Sequence, residues 1–400
     1  MTFKTRLSVL LISTPLLAFV LIGGFLGNAS AGTDDESLRH LRVFQDVVAL
    51  VMSNYVEEVK VDHVMEGAMR GLADGLDPDS AYLTPAQVKE IESGKPLPAG
   101  DLGIQLTRQY YLRIIATRDG SPADRAGLQT GDYVRAIDGR STRGMSVFEG
   151  ARLLRGEPGS KVVLTIIRGN AADPHEVTLV REAASMPPVS AKMIDDVVGY
   201  IRIPAFTSTT AADVKKHAAA LEKQGAKTLV VDIRRTAEGA IEHGIETARL
   251  FVGSGTVTGK AGRPAAGEKT ATPQPVLAKS GDGVITLPAH VLVSAGTSGA
   301  AEVFAAALDG NKRGDLIGEH TIGRAAEQKL VKLPENRGLW LTHLRYYTPG
   351  GELIHGNGLQ PDVPVAEPDV EFGAPRPETD PMLETAVKHA KSAIAALPSN

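Results

Sequence analysis

Four hundred residues, 42% hydrophobic and 22% charged, are enough for two or three domains with cores of their own. A net charge of −4 with no basic block, and aromatics at 4%, argue against a nucleic-acid surface. The absence of cysteine excludes a disulfide framework, a thiolate nucleophile, a zinc–thiolate centre and an acylated lipoprotein anchor.

Residues 1–31 read as targeting rather than fold. Lys4 and Arg6 precede an apolar run from Leu7 to Leu26, and Ala29-Ser30-Ala31 offers small residues at a cleavage spacing. The competing reading is an uncleaved membrane anchor, weakened by Pro15 and the Gly23-Gly24 pair. Either way the rest of the chain is expected outside the cytoplasm, in the periplasm or cell envelope.

Residues 37–94 carry a helical pattern. Phe44, Val47, Val48, Val51, Met52 and Tyr55 form one apolar stripe. A second helix is predicted around Met65 to Leu76, ending at the turn Asp77-Pro78-Asp79-Ser80. A third starts at Thr84-Pro85, a cap followed by a proline at the first helical position. Such helices serve either to pack on the next domain or to dimerise.

Over residues 98–184 the texture changes to short strands and glycine turns. Asp101-Leu102-Gly103-Ile104, the turn from Ser121 to Leu128, the hairpin from Gly131 to Gly139 and the strand ending at Arg168 follow in order. Together they resemble a PDZ domain. That resemblance implies a groove beside the strand after Leu102, Gly103 and Ile104. Backbone N–H groups there would capture a peptide carboxylate, and the strand edge would pair with the peptide.

From residue 185 to 365 strands and helices alternate, which predicts an α/β core with a mixed sheet. A Gly/Pro/Ala/Lys-rich stretch from Gly259 to Gly283 reads as a loop. The centre of this core is His290–Glu302: a strand from His290 to Val293, a break at Ser294–Gly296, then a helix whose apolar face carries Val303, Phe304, Ala307 and Leu308. Strand, glycine turn and helix start is where α/β enzymes hold a nucleophile over backbone N–H donors, and Thr297 and Ser298 are the hydroxyls at hand. Residues 366–400 form a proline-rich tail and a helix capped by Asp380-Pro381, with Leu383, Val387, Ala390, Ile394 and Leu397 on one stripe. The fold class expected is therefore α/β (α+β) and multidomain. It comprises a helical arm, a PDZ β-sandwich or barrel-like domain, a protease-like core and a C-terminal helix.

Ordered motifs over most of the chain carry a second resemblance. Leu76-Asp77-Pro78-Asp79-Ser80-Ala81-Tyr82 is similar to LDPHSxY, Tyr200–Phe206 to GYIRIxxF, and Val231–Arg234 to VLDLR. Leu316–Gly323 is similar to VIGxxTFG, and Tyr346–Gly351 with Gly358–Asp362 to YYTPSG…GIxPD. The chain is thereby identified as a member of the carboxyl-terminal processing peptidase (tail-specific serine protease) family. The resemblance implies a serine nucleophile, a lysine general base and a glutamine that positions the lysine. Their positions here are Gly299, Arg324 and Gln328. Glycine has no nucleophile, and a guanidinium stays protonated, so it cannot act as a base. The oxyanion turn NPGG becomes Thr236-Ala237-Glu238-Gly239, with the Glu238 carboxylate of the wrong sign for stabilising an oxyanion. Loss of the family's peptidase chemistry is expected.

The alternative is a displaced hydrolase using Ser298 and His320. One residue of slip at a helix start turns a side chain by about 100°, and Ser298 reads more simply as the helix N-cap. No two histidines show metal-ligand spacing, so neither metal nor cofactor is expected. The partners expected are protein C-terminal peptides in the PDZ groove and an active paralogous protease, within a homo- or hetero-oligomer, with no nucleic acid.

Overall fold

A computed structural model describes residues 31–169, 173–265, 267–268, 270–375 and 377–395. Residues 1–30 of the expected leader lie outside the described residues. None of the described helices is long and apolar enough to cross a membrane. The chain divides into a helical unit up to residue 72 and a larger unit from Ala73 onward. The first holds the helix Ala31–Asn54 and most of the helix Val61–Asp74.

The centre of the larger unit is a six-stranded sheet. Its order is Ser190–Met193, Val198–Arg202, Thr228–Asp232, Ala289–Val293, Leu316–Gly318 and Val363–Pro364. The first pair is antiparallel and the others are parallel, so the sheet is mixed. Leu229, Val231, Val291 and Val293 face the helices Thr210–Lys223, Ile241–Arg249 and Ala300–Gly310. Their neighbours Val230 and Leu292, with Val198 and Ile317, face Met382, Ala386 and Ala390 of the helix Pro381–Ala395. With both faces covered, these strands read as unbroken apolar runs rather than alternating ones. The C-terminal helix therefore presents Met382, Ala386 and Ala390 to the sheet, while Leu383 and Val387 are only partly buried. The predicted stripe thus meets the sheet through Ala390, with Leu383 and Val387 packed at its margin, and Leu397 lies outside the described residues.

A second sheet corrects two expectations. Gly338–Tyr347 pairs with Ala81–Leu83, Thr256–Ala261 and Ala326–Lys332, and Gln274–Leu277 is added at the edge. The stretch expected to be helical up to residue 94 thus contains a three-residue buried strand, Ala81–Leu83, too short for any periodicity to show. The expected Gly259–Gly283 loop contains strand residues because Gln274–Leu277 is an edge strand, where Pro275 costs no ladder bond.

The third sheet belongs to the PDZ region. Ile104–Gln109, Tyr111–Thr117, Tyr133–Ile137, Lys161–Ile167 and His175–Val180 run antiparallel in that order around a core of Leu106, Leu112, Val134 and Leu164. Ion pairs attach it to the α/β core. Arg202 grips Asp119 through Nε–Oδ2 at 2.9 Å and Nη2–Oδ1 at 3.1 Å.

Candidate active site

The strand Ala289–Val293 delivers the chain to a turn in which nearly every polar group is used. Ser294 Oγ accepts N–H bonds from Arg235 at 3.1 Å and Gly296 at 3.2 Å. Thr297, fully buried, donates its hydroxyl to the Ile233 carbonyl at 3.0 Å and accepts the Ser294 N–H at 3.0 Å. That hydroxyl is part of the scaffold. Gly299, not Ser298, is the residue that caps the following helix. The reach of the Glu302 carboxylate back to the Gly299 N–H, at 3.0 Å, explains why a side-chain cap from Ser298 is unnecessary.

Gly299 adopts φ +62° and ψ −114°, a backbone that L side chains hold only under strain. A Cβ placed there would meet nothing nearer than the Arg324 carbonyl at 3.9 Å. The apex of the elbow is therefore bent as for an outward-facing side chain, with room for one. Every residue from Ala300 to Leu308 of the helix behind it is buried, so the apolar face predicted from Val303 and Leu308 extends all the way round.

Glu302 ties this elbow to the segment carrying Arg324. Its carboxylate accepts N–H bonds from Gly299, from Gly323 at 2.6 Å and from Arg324 at 2.7 Å, together with the Thr321 hydroxyl at 2.5 Å. Burial raises its pKa above the usual carboxylate range, against the pull of those four donors. The backbones of Gly299 and Arg324 thus share one carboxylate.

The side chain of Arg324 is engaged by Asp79 and Leu106. Nε donates to Asp79 Oδ2 at 3.0 Å, Nη2 pairs with Asp79 Oδ1, and Nη1 donates to the Leu106 carbonyl at 2.6 Å. Asp79 is presented by the turn that Asp77 organises by accepting the N–H groups of Asp79 and Ser80 at 2.9 and 2.7 Å. Gln328 donates to the Thr342 hydroxyl at 3.2 Å, so its amide serves the neighbouring strand. His320 is exposed, and among the described residues no hydrogen bond joins it to Ser298.

The turn Thr236–Gly239, expected from the sequence to be a degenerate oxyanion turn, is also occupied. Gly239 holds φ +125°, where a Cβ would overlap the Phe206 carbonyl oxygen at 2.1 Å, so this glycine is demanded by packing. The Glu238 carboxylate, expected to have the wrong sign for an oxyanion site, is paired with a cation. Arg118 holds it, Nη2 to Oε1 at 2.9 Å, and also reaches Asp101 Oδ2 at 2.8 Å.

The peptide groove lies close to these groups. Leu102 is buried, Ile104 is half-buried, and Gly103 holds φ +70° where a Cβ would strike Ser121 at 2.3 Å. The Gly103 N–H, one of the predicted carboxylate donors, is bonded to Asp101 Oδ1 at 3.1 Å. The strand Ile104–Gln109 forms the open edge of its sheet. Leu106 lies opposite Ile114, whose N–H and C=O both turn to the other neighbour, at Asp132 and Gly131. In an antiparallel pair the partner's groups then face outward, so the Leu106 carbonyl points into the groove. Arg324 takes the acceptor that an added peptide strand would use. Asp101, Arg118, Arg155 and Arg324 all line this groove, and sequence reasoning identified none of them as groove residues.

A PDZ-domain family model matches residues 113–168, and a model of peptidase family S41 matches residues 197–365. The carboxyl-terminal-processing protease of Synechocystis sp. is 33% identical over 303 residues, 74% of this chain and 69% of that protein. The chain belongs to the carboxyl-terminal processing peptidases, family S41. The carboxy-terminal processing protease CtpA of Bacillus subtilis is 30% identical over 86% of this chain and 72% of that protein. A solved structure titled photosystem II D1 C-terminal processing protease is similar at a TM-score of 0.66 and 27% identity, over 81% of this chain and 92% of that one. Against the family motif LDPHSxY, Asp79 stands at the histidine position. Asp79 and Arg324, 245 positions apart, meet as a carboxylate facing a guanidinium.

Proposed function

We propose that this S41 member works outside the cytoplasm as a binder of protein C-terminal tails that does not cleave them, acting as a scaffold or regulator of proteolysis. The observation that carries the reading is the pairing of a side-chain-free apex at Gly299 with an Arg324 guanidinium committed to Asp79 and Leu106. A guanidinium in such a pair cannot accept the proton of an attacking hydroxyl. Thr297 is consumed by the turn, and Ser298 has no base within hydrogen-bond reach among the described residues. The PDZ groove is the surface for that binding, because Leu102, Gly103 and Ile104 keep the loop and an edge strand, and a tail entering it displaces the Arg324 bond to Leu106. An active paralogue bearing the family's serine and lysine is the partner such a scaffold would serve.

The test is to incubate the purified protein with an unstructured peptide ending in apolar residues, following binding by fluorescence anisotropy and cleavage by mass spectrometry. Saturable binding with no new fragments is expected. Cleavage that Ser298→Ala abolishes, and that Gly299→Ser/Arg324→Lys does not enhance, would establish the displaced-nucleophile hydrolase instead.

A further inference from the structure

At the start of the central strand, away from the elbow that ends it, three ligand-type side chains gather under the C-terminal helix. His290 has the same parity as Leu292 on the strand Ala289–Val293, so its imidazole faces the helix Pro381–Ala395. Asp315 immediately precedes the adjoining strand Leu316–Gly318, and its carbonyl accepts the Val291 N–H at 2.9 Å, which fixes it beside His290. His389 comes down from the helix one turn past Ala386.

His389 Nε2 lies 2.6 Å from Asp315 Oδ2, and His290 Nδ1 lies 3.6 Å from the same oxygen. The two rings stand edge to face at 5.1 Å and 88°. One donor atom from each of the three residues fits within 4.8 Å of the others. Donor atoms around a tetrahedral zinc with bonds of about 2.0–2.1 Å sit about 3.3 Å apart, so small side-chain shifts bring this set to that geometry.

An independent observation points to a missing ligand. His290 is only 3% exposed, yet neither of its ring nitrogens has a hydrogen-bond partner. A buried imidazole with both nitrogens unused is costly, and a coordinate bond from Nδ1 would satisfy one of them. The Asp315 and His389 side chains are 49% and 34% exposed, which leaves a route in and a position for water. Asp309, which senses the charges of Asp315 and Asp362, adds negative potential at this rim, and Lys312 offsets part of it.

We propose that His290, Asp315 and His389 form a binding site for a borderline divalent transition ion, zinc foremost, that staples the C-terminal helix to the sheet. Two imidazoles and one carboxylate suit zinc, nickel, cobalt or copper. They do not suit calcium or magnesium, which require more oxygen ligands. The sequence hides the set because its members are far apart in the chain and share no spacing motif.

The test uses untagged protein, freed of metal with a chelator and titrated with zinc chloride by isothermal calorimetry and thermal unfolding. Equimolar saturable binding and a rise of several degrees in the midpoint are expected, with neither effect from magnesium or calcium. His389→Ala removes a half-exposed ligand without opening the core, so it should fold, lose the equimolar binding event and lose the zinc-induced shift. Asp315→Asn should weaken binding at least about tenfold. Absence of saturable binding up to millimolar zinc would overturn the proposal. So would binding that persists unchanged in His389→Ala, which would place the ion at other histidines.

Discussion

Replacing Arg324 with glutamine is expected to lower stability and raise tail affinity at once. The stability loss follows from Asp79, whose side chain is 7% exposed against 19% for Arg324. Removing one member of a buried pair leaves the other charge uncompensated, at about 3–5 kcal/mol. For a chain of this size that lowers the midpoint by roughly 4–6 °C. The affinity gain follows from the Nη1 bond to the Leu106 carbonyl, which an added peptide strand must displace. A hydrogen bond to a charged donor contributes about 1.5 kcal/mol, so freeing that edge should tighten binding about tenfold. Thermal unfolding and titration of a labelled apolar C-terminal peptide read the two effects separately. Asp79→Asn is the control. It breaks the ion pair but leaves the bond to Leu106, so it should destabilise without tightening binding. If Arg324→Gln binds the peptide no better than the wild type, or if Asp79→Asn tightens binding equally, the edge at Leu106 is not what Arg324 closes.

Three further outcomes follow from the same geometry. Gly299→Ser finds open space but must hold φ +62°, so it should fold with a loss of about 1–3 kcal/mol in denaturant titrations and gain no peptidase activity while Arg324 remains. Gly103→Ala drives a Cβ into Ser121 and should abolish peptide binding in anisotropy, while the α/β core still melts cooperatively. Finally, although burial alone would raise it, Arg234 and Arg202 hold the Asp232 carboxyl down at about 2. A depressed carboxylate contributes stability that is fully present above its unfolded value near 3.8. That contribution, about 2 kcal/mol, is lost as the pH falls toward 2, and Asp232→Asn should flatten this part of the acid-stability profile.

The parts of the molecule legible in the sequence are those where local backbone chemistry leaves a mark. Gly103, Gly239 and Gly299 all sit at positive φ in turns that the motifs flagged, and the apolar runs at Thr228–Asp232 and Ala289–Val293 signalled strands covered on both faces. The elbow is recognisable for the same reason, although the helix cap is Gly299, one residue after the serine that the sequence points to. What escaped were contacts between groups with no local signature. Arg324 meets Asp79 across 245 positions, and Arg118 meets Glu238 across 120. Each residue alone reads as a solvated charge, and only the fold brings the pairs out of water. The edge strand Gln274–Leu277 escaped because its proline and the glycines around it are the composition of a loop.

The helix from Pro381 to Ala395 is synthesised after every strand it covers. Until it emerges from the ribosome, one side of the central sheet has nothing to lie against, with Val198, Val230, Leu292 and Ile317 bare. Arg234 likewise waits for Asp380, which it grips at 2.8 Å through both terminal nitrogens. Truncation before Pro381 would leave that apolar face of the sheet open, a substrate for chaperones and quality-control proteases.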